Sequence, residues 1–344
     1  MGRGSLVAFA LLSSALSLLG QVDFPAGEPA RTFAEVVALE ENGKLGSALR
    51  RYRAIARSYP QSDEAPEALY RRGMIFLRQG RYRRAFRCLE GVLDKYPTYG
   101  GYMGVVELEF QVAQSLMEGR RNRLFWGKLP GFKDRSAARD YFSKVVERVP
   151  YSALAPEALL NVARLSLRMR EPDAAIEALE RLVDEYAGSP VAPDALLLLA
   201  KVYRERVPGP SYDQKMTREA MNSYQEFLVL FPDSPSAERA EEGLAEATDL
   251  LAAGKVDMGD FYYDARQNPH GAEPYYEEAS QLAPKDSPTA QRARKRLVEI
   301  LAGKPGKGSP LDFIIGRYRP PAGLAVQGQR MGGTAEGEGD GILE

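Results

Sequence analysis

The sequence has almost none of the side chains from which most enzyme and metal sites are built. Its 344 residues include one cysteine, Cys88, one histidine, His270, and one tryptophan. A single cysteine cannot form an intramolecular disulfide, and a lone histidine with no cysteine nearby gives little material for a metal site. G-x-S-x-G, H-E-x-x-H and glycine-rich phosphate-binding motifs are also absent. We therefore predict a protein that is not an enzyme and that has no catalytic residues, no cofactor and no metal.

The two rare side chains have simpler expected places. Cys88 lies between Phe86 and Leu89 in an apolar pattern, which predicts a small buried side chain. His270 lies in the segment QNPHG, which predicts a polar turn.

Charge is balanced over the whole chain but unevenly distributed along it. The formal net charge is -1, whereas the segment from Lys44 to Asp140 contains 20 Lys and Arg against 10 Asp and Glu. The overall balance argues against nucleic acid as a partner. The basic segment either forms the solvated outer faces of helices or contacts an acidic partner or, peripherally, anionic lipid.

A long apolar run follows Arg3 and extends from Leu6 to Leu19. Fourteen residues are fewer than the roughly 20 that a membrane-spanning helix needs, and are typical of the core of a signal peptide. We predict a signal peptide over residues 1–20, cleaved after Ser17 or Gly20, and a linker over residues 21–30. An uncleaved N-terminal anchor is the alternative.

A recurring helical pattern fills most of the remaining sequence. In residues 65–97 a first helix runs from about Pro66 to Gly80, and a second ends at Pro97. Gly73 and Ala85 are small enough to let the two helices approach closely. An alanine is followed after four residues by a bulky side chain, and after twelve residues by a proline or, once, an alanine. The alanine and its residue twelve later are Ala48 with Pro60, Ala85 with Pro97, Ala138 with Pro150, Ala175 with Ala187, Ala220 with Pro232, and Ala272 with Pro284.

This pattern is that of the tetratricopeptide repeat. We predict an all-α fold, a tetratricopeptide-repeat solenoid of about six helical hairpins with a C-terminal capping helix. The array is expected over residues 31–302, with hairpins near 31–60, 66–97, 101–150, 156–187, 193–232 and 237–284 and the cap at 289–301. Residues 303–344 contain 11 Gly and 4 Pro, a composition that predicts a disordered tail.

One insertion between helices is the strongest candidate for a binding site. The segment RRNRLFWGKLPGFKDR, residues 120–135, combines aromatic and basic side chains in a predicted loop. Its aromatic residues either pack against the adjacent hairpin or contact a partner. A second aromatic cluster, from Gly259 to Tyr263, ends a long predicted helix and is expected to serve packing. The partner-binding candidates are Arg121, Arg123, Phe125, Trp126, Lys128 and Phe132.

Three features of the sequence together resemble the BamD family. They are the joints Tyr59-Pro60-Gln61-Ser62 and Ala65-Pro66-Glu67-Ala68, the Phe125-Trp126-Gly127 loop and the late aromatic cluster. Its members are outer-membrane β-barrel assembly lipoproteins, and the resemblance covers about residues 33–301. Gln21 stands where the family has its lipidated cysteine, so no diacylglyceryl group can be attached at that residue.

This resemblance implies a periplasmic protein-binding scaffold at the inner face of the outer membrane. The implied partners are a β-barrel assembly subunit and unfolded outer-membrane protein precursors. Another periplasmic tetratricopeptide adaptor, linking cell-wall synthesis or division to the envelope, is the alternative. An enzyme or enzyme regulator acting on peptidoglycan is a further rival.

Overall fold

The structure is a computed structural model that describes residues 29–306, apart from 122, 125–128, 131–133, 208 and 211–213. For residues 123, 124, 129 and 130 it describes the backbone alone. The predicted signal peptide and most of the linker and tail lie outside the described residues.

The described residues form thirteen α-helices, a π-helical turn and one pair of two-residue strands. They divide into two compact units, whose boundary at Leu199 falls inside α9. The elements up to this boundary are α1 (Pro29–Glu41), α2 (Leu45–Ser58), α3 (Glu64–Arg78), α4 (Tyr82–Lys95), α5 (Tyr102–Met117), β1 (Arg123–Leu124), β2 (Leu129–Pro130), α6 (Arg135–Arg148), α7 (Leu154–Arg168), α8 (Pro172–Glu185) and α9 (Ala192–Glu205). They are followed by α10 (Lys215–Leu230), α11 (Ala237–Asp260), the π-helical turn (Phe261–Ala265), α12 (Pro269–Leu282) and α13 (Pro288–Leu301).

In the first unit the helices pack as a repeat array. Each helix from α1 to α7 contacts the next one along the chain, and the first helices of successive hairpins, α1, α3, α5 and α7, also contact one another. The prediction of an all-α tetratricopeptide-repeat fold is confirmed. The six alanines that define the repeat pattern, which we call the marker alanines, explain this fold because all of them are fully buried. They are Ala48, Ala85, Ala138, Ala175, Ala220 and Ala272.

Gly73 shows how tightly a hairpin is closed. A Cβ atom added there would lie 2.8 Å from Cδ2 of Leu89 and 3.6 Å from the carbonyl oxygen of Ala85. This confirms the close approach predicted for Gly73 and Ala85. The hairpin turns at Gly80, which adopts a φ of 69° as expected of a left-handed helix cap.

In the second unit the predicted aromatic cluster is partly buried and partly exposed. Tyr263 is 2% exposed, and its hydroxyl donates a hydrogen bond of 2.7 Å to the carbonyl oxygen of Lys304, so it packs as expected. Phe261 is 45% exposed and therefore remains on the surface. The two residues lie in a π-helical turn, an insertion of one residue into a helix that periodicity alone does not reveal.

Two local predictions were wrong. His270 lies in the first turn of α12 and not in a polar turn. Pro269 suits the start of a helix. The Asn268 side chain caps this helix, because it accepts a hydrogen bond of 3.0 Å from the Gly271 amide. The segment after α5 is not loop throughout, because Arg123 pairs with Pro130 and Leu124 with Leu129 in an antiparallel ladder. Cys88 is buried, as predicted.

Candidate functional site

A cleft of about 690 Å³ opens beside the segment that the sequence singles out. One wall is the turn between α3 and α4, and the other is the C-terminal half of α5 with the two arginines that follow it. We call it the turn cleft. Its volume is in the range of sites that bind small ligands or a few side chains of a partner. It is lined by Leu77, Arg78, Gln79, Gly80, Tyr82, Gln111, Ser115, Arg120 and Arg121.

Helix ends hold both walls in place. Gly80 and Gly119 adopt left-handed conformations, with φ of 69° and 85°. Each ends its helix with a pair of backbone hydrogen bonds, of which the Gly119 pair runs from Gly119 N to Leu116 O and from Arg120 N to Ser115 O. Arg120 and Arg121 therefore leave α5 in a fixed direction, at the rim of the turn cleft.

Polar side chains in this cleft are available for hydrogen bonding. In the described part of the chain, neither Gln111 nor Ser115 forms a side-chain hydrogen bond to another residue. Arg121 is exposed and has no carboxylate within ion-pair distance among those residues. Arg78, in contrast, forms an ion pair with Glu40, in which Nη2 of the arginine lies 3.1 Å from Oε1 of the glutamate. The cleft thus offers the amide of Gln111, the hydroxyl of Ser115 and the guanidinium of Arg121, for which the described residues supply no competing side-chain contact.

The structure locates part of the predicted site. Of the six candidates, Arg121 lines the turn cleft, and the backbone of Arg123 lies in β1. The remaining candidates, Phe125, Trp126, Lys128 and Phe132, lie outside the described residues, and so does the Arg123 side chain. Whether these aromatic residues pack or bind stays a prediction.

The far end of the same segment is anchored to α4. The Asp134 carboxylate accepts a hydrogen bond of 2.6 Å from Nε of Arg83 and one of 3.3 Å from the backbone amide of Ala137. It therefore caps α6 and joins that helix to α4 at the same time. Next to this contact the rings of Phe86 and Tyr141 stack with centroids 3.5 Å apart, and burial raises the pKa of Tyr141 to about 12. The segment between α5 and α6 consequently starts and ends at fixed points.

Glu109 is a buried carboxyl group on α5 that no sequence motif identified. Its side chain is fully buried in α5, and neither carboxylate oxygen has a hydrogen-bond partner among the described residues. Arg148 lies 3.9 Å away but makes its closer contact, 2.8 Å, with Asp94. Burial is the main cause that raises the pKa of Glu109 to about 8, and the nearby carboxylates of Glu90 and Asp94 add to it. The sequence signal that could have identified Glu109 is its position within the largely apolar run VVELEF.

Comparisons with known proteins agree with this architecture. A model of the tetratricopeptide repeat matches residues 33–99, and a family model described as "Outer membrane lipoprotein" (YfiO) matches residues 132–273. The "Outer membrane protein assembly factor BamD" of Caulobacter vibrioides is 26% identical over 125 residues, which are 36% of this chain and 41% of the relative. Over these residues the chain is similar to the BamD-type family. It covers less than half of the length of this BamD relative.

Solved structures that match this chain share little sequence with it. The crystal structure of MamA is 18% identical, with 68% of this chain and 96% of MamA covered and a TM-score of 0.35. A tetratricopeptide repeat protein from Parabacteroides merdae is 14% identical, with coverages of 80% and 99% and a TM-score of 0.33.

The tetratricopeptide repeats of this chain are those of a protein-interaction scaffold. Among the described residues no three or more His, Cys, Asp or Glu side chains are grouped so that they could hold a metal ion. No described helix is both long enough and apolar enough to cross a membrane. The turn cleft and the exposed cations around it are suited to non-covalent recognition of a polypeptide.

Proposed function

We propose that this chain is a periplasmic scaffold of outer-membrane β-barrel assembly, at the inner face of the outer membrane. Its proposed partners are the barrel-forming assembly subunit and unfolded outer-membrane protein precursors. The predicted leader, the BamD-type segment and the similarity to an outer membrane protein assembly factor support this proposal. The scaffold makes and breaks no covalent bonds.

The observation that carries the proposal is the anchored segment beside the turn cleft. It leaves α5 at Arg120 and Arg121 and rejoins the array at Asp134, which is tied to Arg83. A segment fixed at both ends loses less conformational entropy on binding than a free one. Partner residues seated in the cleft would receive hydrogen bonds from Gln111, Ser115 and Arg121, while Trp126 and Phe125 would supply apolar contact area.

Site-specific crosslinking in intact cells tests this function. A photoreactive amino acid at position 126 is expected to crosslink to the barrel-forming subunit or to a precursor. Trp126→Ala and Arg121→Glu should each weaken capture of the barrel-forming subunit from envelope extracts about tenfold or more, as expected for contacts in an interface centre.

The control is Arg218→Glu, which makes the same charge change at an exposed position on α10. It should leave capture unchanged. Trp126→Ala should also leave helicity and melting temperature unchanged, since a clear drop in melting temperature would show that the ring belongs to the core. Recovery of no barrel-assembly component by the wild-type chain would refute the proposed function.

A further inference from the structure

A second cleft, of about 480 Å³, lies between α2, α3 and α4, away from the turn cleft. We call it the arginine cleft. Its floor contains apolar and small side chains, and its rim carries five cationic ones. The lining residues are Arg53, Leu69, Arg72, Phe76, Arg84, Arg87, Cys88, Gly91 and Lys95.

The five cations of the arginine cleft are unpaired, in contrast to their neighbours. Within residues 29–306, gaps excepted, no carboxylate lies within 4.0 Å of any of them. Arg71, next to Arg72 in the sequence, contacts Glu67 at 3.0 Å. Arg83, next to Arg84, is held by Asp134. Like charges that converge without a counter-ion repel one another, so this arrangement costs stability that a bound anion would restore.

Arg72 provides independent support for an anion in this cleft. Its Nε atom is buried and has no hydrogen-bond partner among the described residues. Burial lowers the pKa of Arg72, and the charges of Arg53 and Arg84 act in the same direction. A buried donor without an acceptor is costly, and an anion in the cleft would supply the acceptor.

Phe76 contacts two of the five cations, Arg72 and Arg84. The guanidinium carbon of Arg72 lies 5.3 Å from the centroid of the Phe76 ring, and those of Arg81 and Arg84 lie 4.7 and 6.0 Å from it. These distances are those of cation–π contacts. Arginines that are already ordered lose little entropy when they bind an anion.

The chemistry of the cleft favours a compact anion with more than one charge. Five cations around one small cleft exceed what a single carboxylate can neutralise, whereas a phosphate monoester carries a charge of about -1.5 to -2 at pH 7. The planar guanidinium matches two phosphate oxygens at once. At Gly91 no atom lies within 4 Å of an added Cβ, so the floor has open space beside it. We propose that the arginine cleft binds a phosphate monoester, either the monoester headgroup of an anionic phospholipid or a soluble phosphate compound.

The cysteine in the cleft does not point to covalent chemistry. Burial raises the pKa of the Cys88 thiol, although Arg72 and Arg87 act against this rise. The protonated thiol is a poor nucleophile. The proposed role is therefore binding alone, and it involves none of the residues of the turn cleft.

Binding of the full chain to pyrophosphate and to vesicles tests this proposal. The variants are Arg84→Gln with Arg87→Gln, both exposed, and separately Arg72→Gln. The wild-type chain should bind inorganic pyrophosphate in calorimetry at low salt. The exposed double variant should bind it about tenfold or more weakly, as expected when charge-assisted hydrogen bonds are lost. The control Arg181→Gln removes one exposed cation from α8 and should bind as the wild type does.

The vesicle arm identifies the source of the phosphate. Cosedimentation with vesicles that contain phosphatidic acid, whose headgroup is a phosphate monoester, assigns the site to a lipid headgroup if it is absent with phosphatidylcholine vesicles and is lost in the double variant. Pyrophosphate binding without vesicle binding assigns it to a soluble compound. The proposal is overturned if neither probe binds, if the double variant binds like the wild type, or if a glutamate decapeptide binds the cleft more tightly than pyrophosphate. A melting temperature of the double variant that is not lower than that of the wild type excludes unfolding as the cause of a loss.

Because the turn cleft is separate, the two proposals can fail independently. Loss of phosphate binding with normal partner capture would leave the scaffold function intact. Normal phosphate binding without any barrel-assembly partner would leave the arginine cleft intact.

Discussion

A single buried carboxylate makes the first unit sensitive to pH. Glu109 is charged in the unfolded chain above about pH 4.5, whereas burial raises its pKa in the folded chain to about 8. The folded state therefore binds the proton more tightly. The contribution of Glu109 to the free energy of unfolding is complete below about pH 4.5 and is lost as the pH rises through about 8.

We expect the free energy of unfolding of the wild-type chain to fall by roughly 4 kcal/mol across this window, since one pKa unit corresponds to about 1.4 kcal/mol. The groups facing Glu109 are Glu90 and Asp94 on α4 and Lys144 and Arg148 on α6. The variant Glu109→Gln cannot ionise, so it should be the more stable chain at pH 8. Urea denaturation at several pH values between 4.5 and 8.5 measures the difference.

Glu107→Gln is the matched control, because Glu107 is exposed two residues earlier on the same helix. It should retain the pH dependence of the wild type. If Glu109→Gln and the wild type show the same dependence on pH, the buried carboxylate does not control it.

At the scale of elements, Arg170 and Gln267 are two non-glycine residues that follow a helical element and adopt a positive φ, where glycine would be expected. Arg170 adopts a φ of 62°, and the backbone donates from Arg170 N to Leu167 O and from Glu171 N to Ser166 O. The turn after α3 has the same two hydrogen bonds, with Gly80 in the left-handed position. A side chain in this conformation costs about 1 kcal/mol, which glycine avoids.

We therefore expect Arg170→Gly to raise the melting temperature by roughly 2 to 4 °C. The reverse experiment is Gly80→Ala, which should lower the melting temperature because it introduces a Cβ atom into the left-handed conformation. Circular dichroism at 222 nm during heating measures both. A lower melting temperature for Arg170→Gly would mean that contacts of the arginine side chain outweigh the backbone cost.

The hairpins were predictable from the sequence because one small set of residues decides their packing. The marker alanines and the bulky residues four positions later are buried, so the spacing of these residues predicts the fold. The π-helical turn at Phe261 was not predictable, since an insertion of one residue leaves the apolar pattern nearly unchanged. The ladder between β1 and β2 was missed for a similar reason, because two residues per strand are too few for an alternating pattern.

The sites were less predictable than the fold. The arginine cleft combines residues from three helices, and it depends on which cations are paired. Arg71 and Arg72 are adjacent and chemically identical, yet in the part of the chain that the structure describes only Arg71 contacts a carboxylate. No sequence pattern distinguishes them. Arg121 was predictable because it lies in a segment that interrupts the repeat, and such insertions stand out against the regular spacing.

For the whole molecule, the compartment decides which partners the scaffold can reach. Residues 1–20, which lie outside the described part of the chain, are proposed to direct export. Their apolar core from Leu6 to Leu19 contains no charged side chain, and an apolar core is what a signal peptide requires. A fusion of residues 1–30 to alkaline phosphatase should therefore be active, because this enzyme forms its disulfides only outside the cytoplasm.

Leu11→Arg with Leu12→Arg places two charges in the apolar core and should abolish this activity. Ser13→Ala with Ser14→Ala keeps the segment apolar and is the control that should remain active. N-terminal sequencing of the exported product then separates the alternatives, because cleavage after Ser17 or Gly20 gives a first residue of Leu18 or Gln21 and an uncleaved anchor retains the leader. An inactive wild-type fusion would contradict export, and with it the proposed role in barrel assembly, whereas the arginine cleft would still be open to phosphate esters in the cytoplasm.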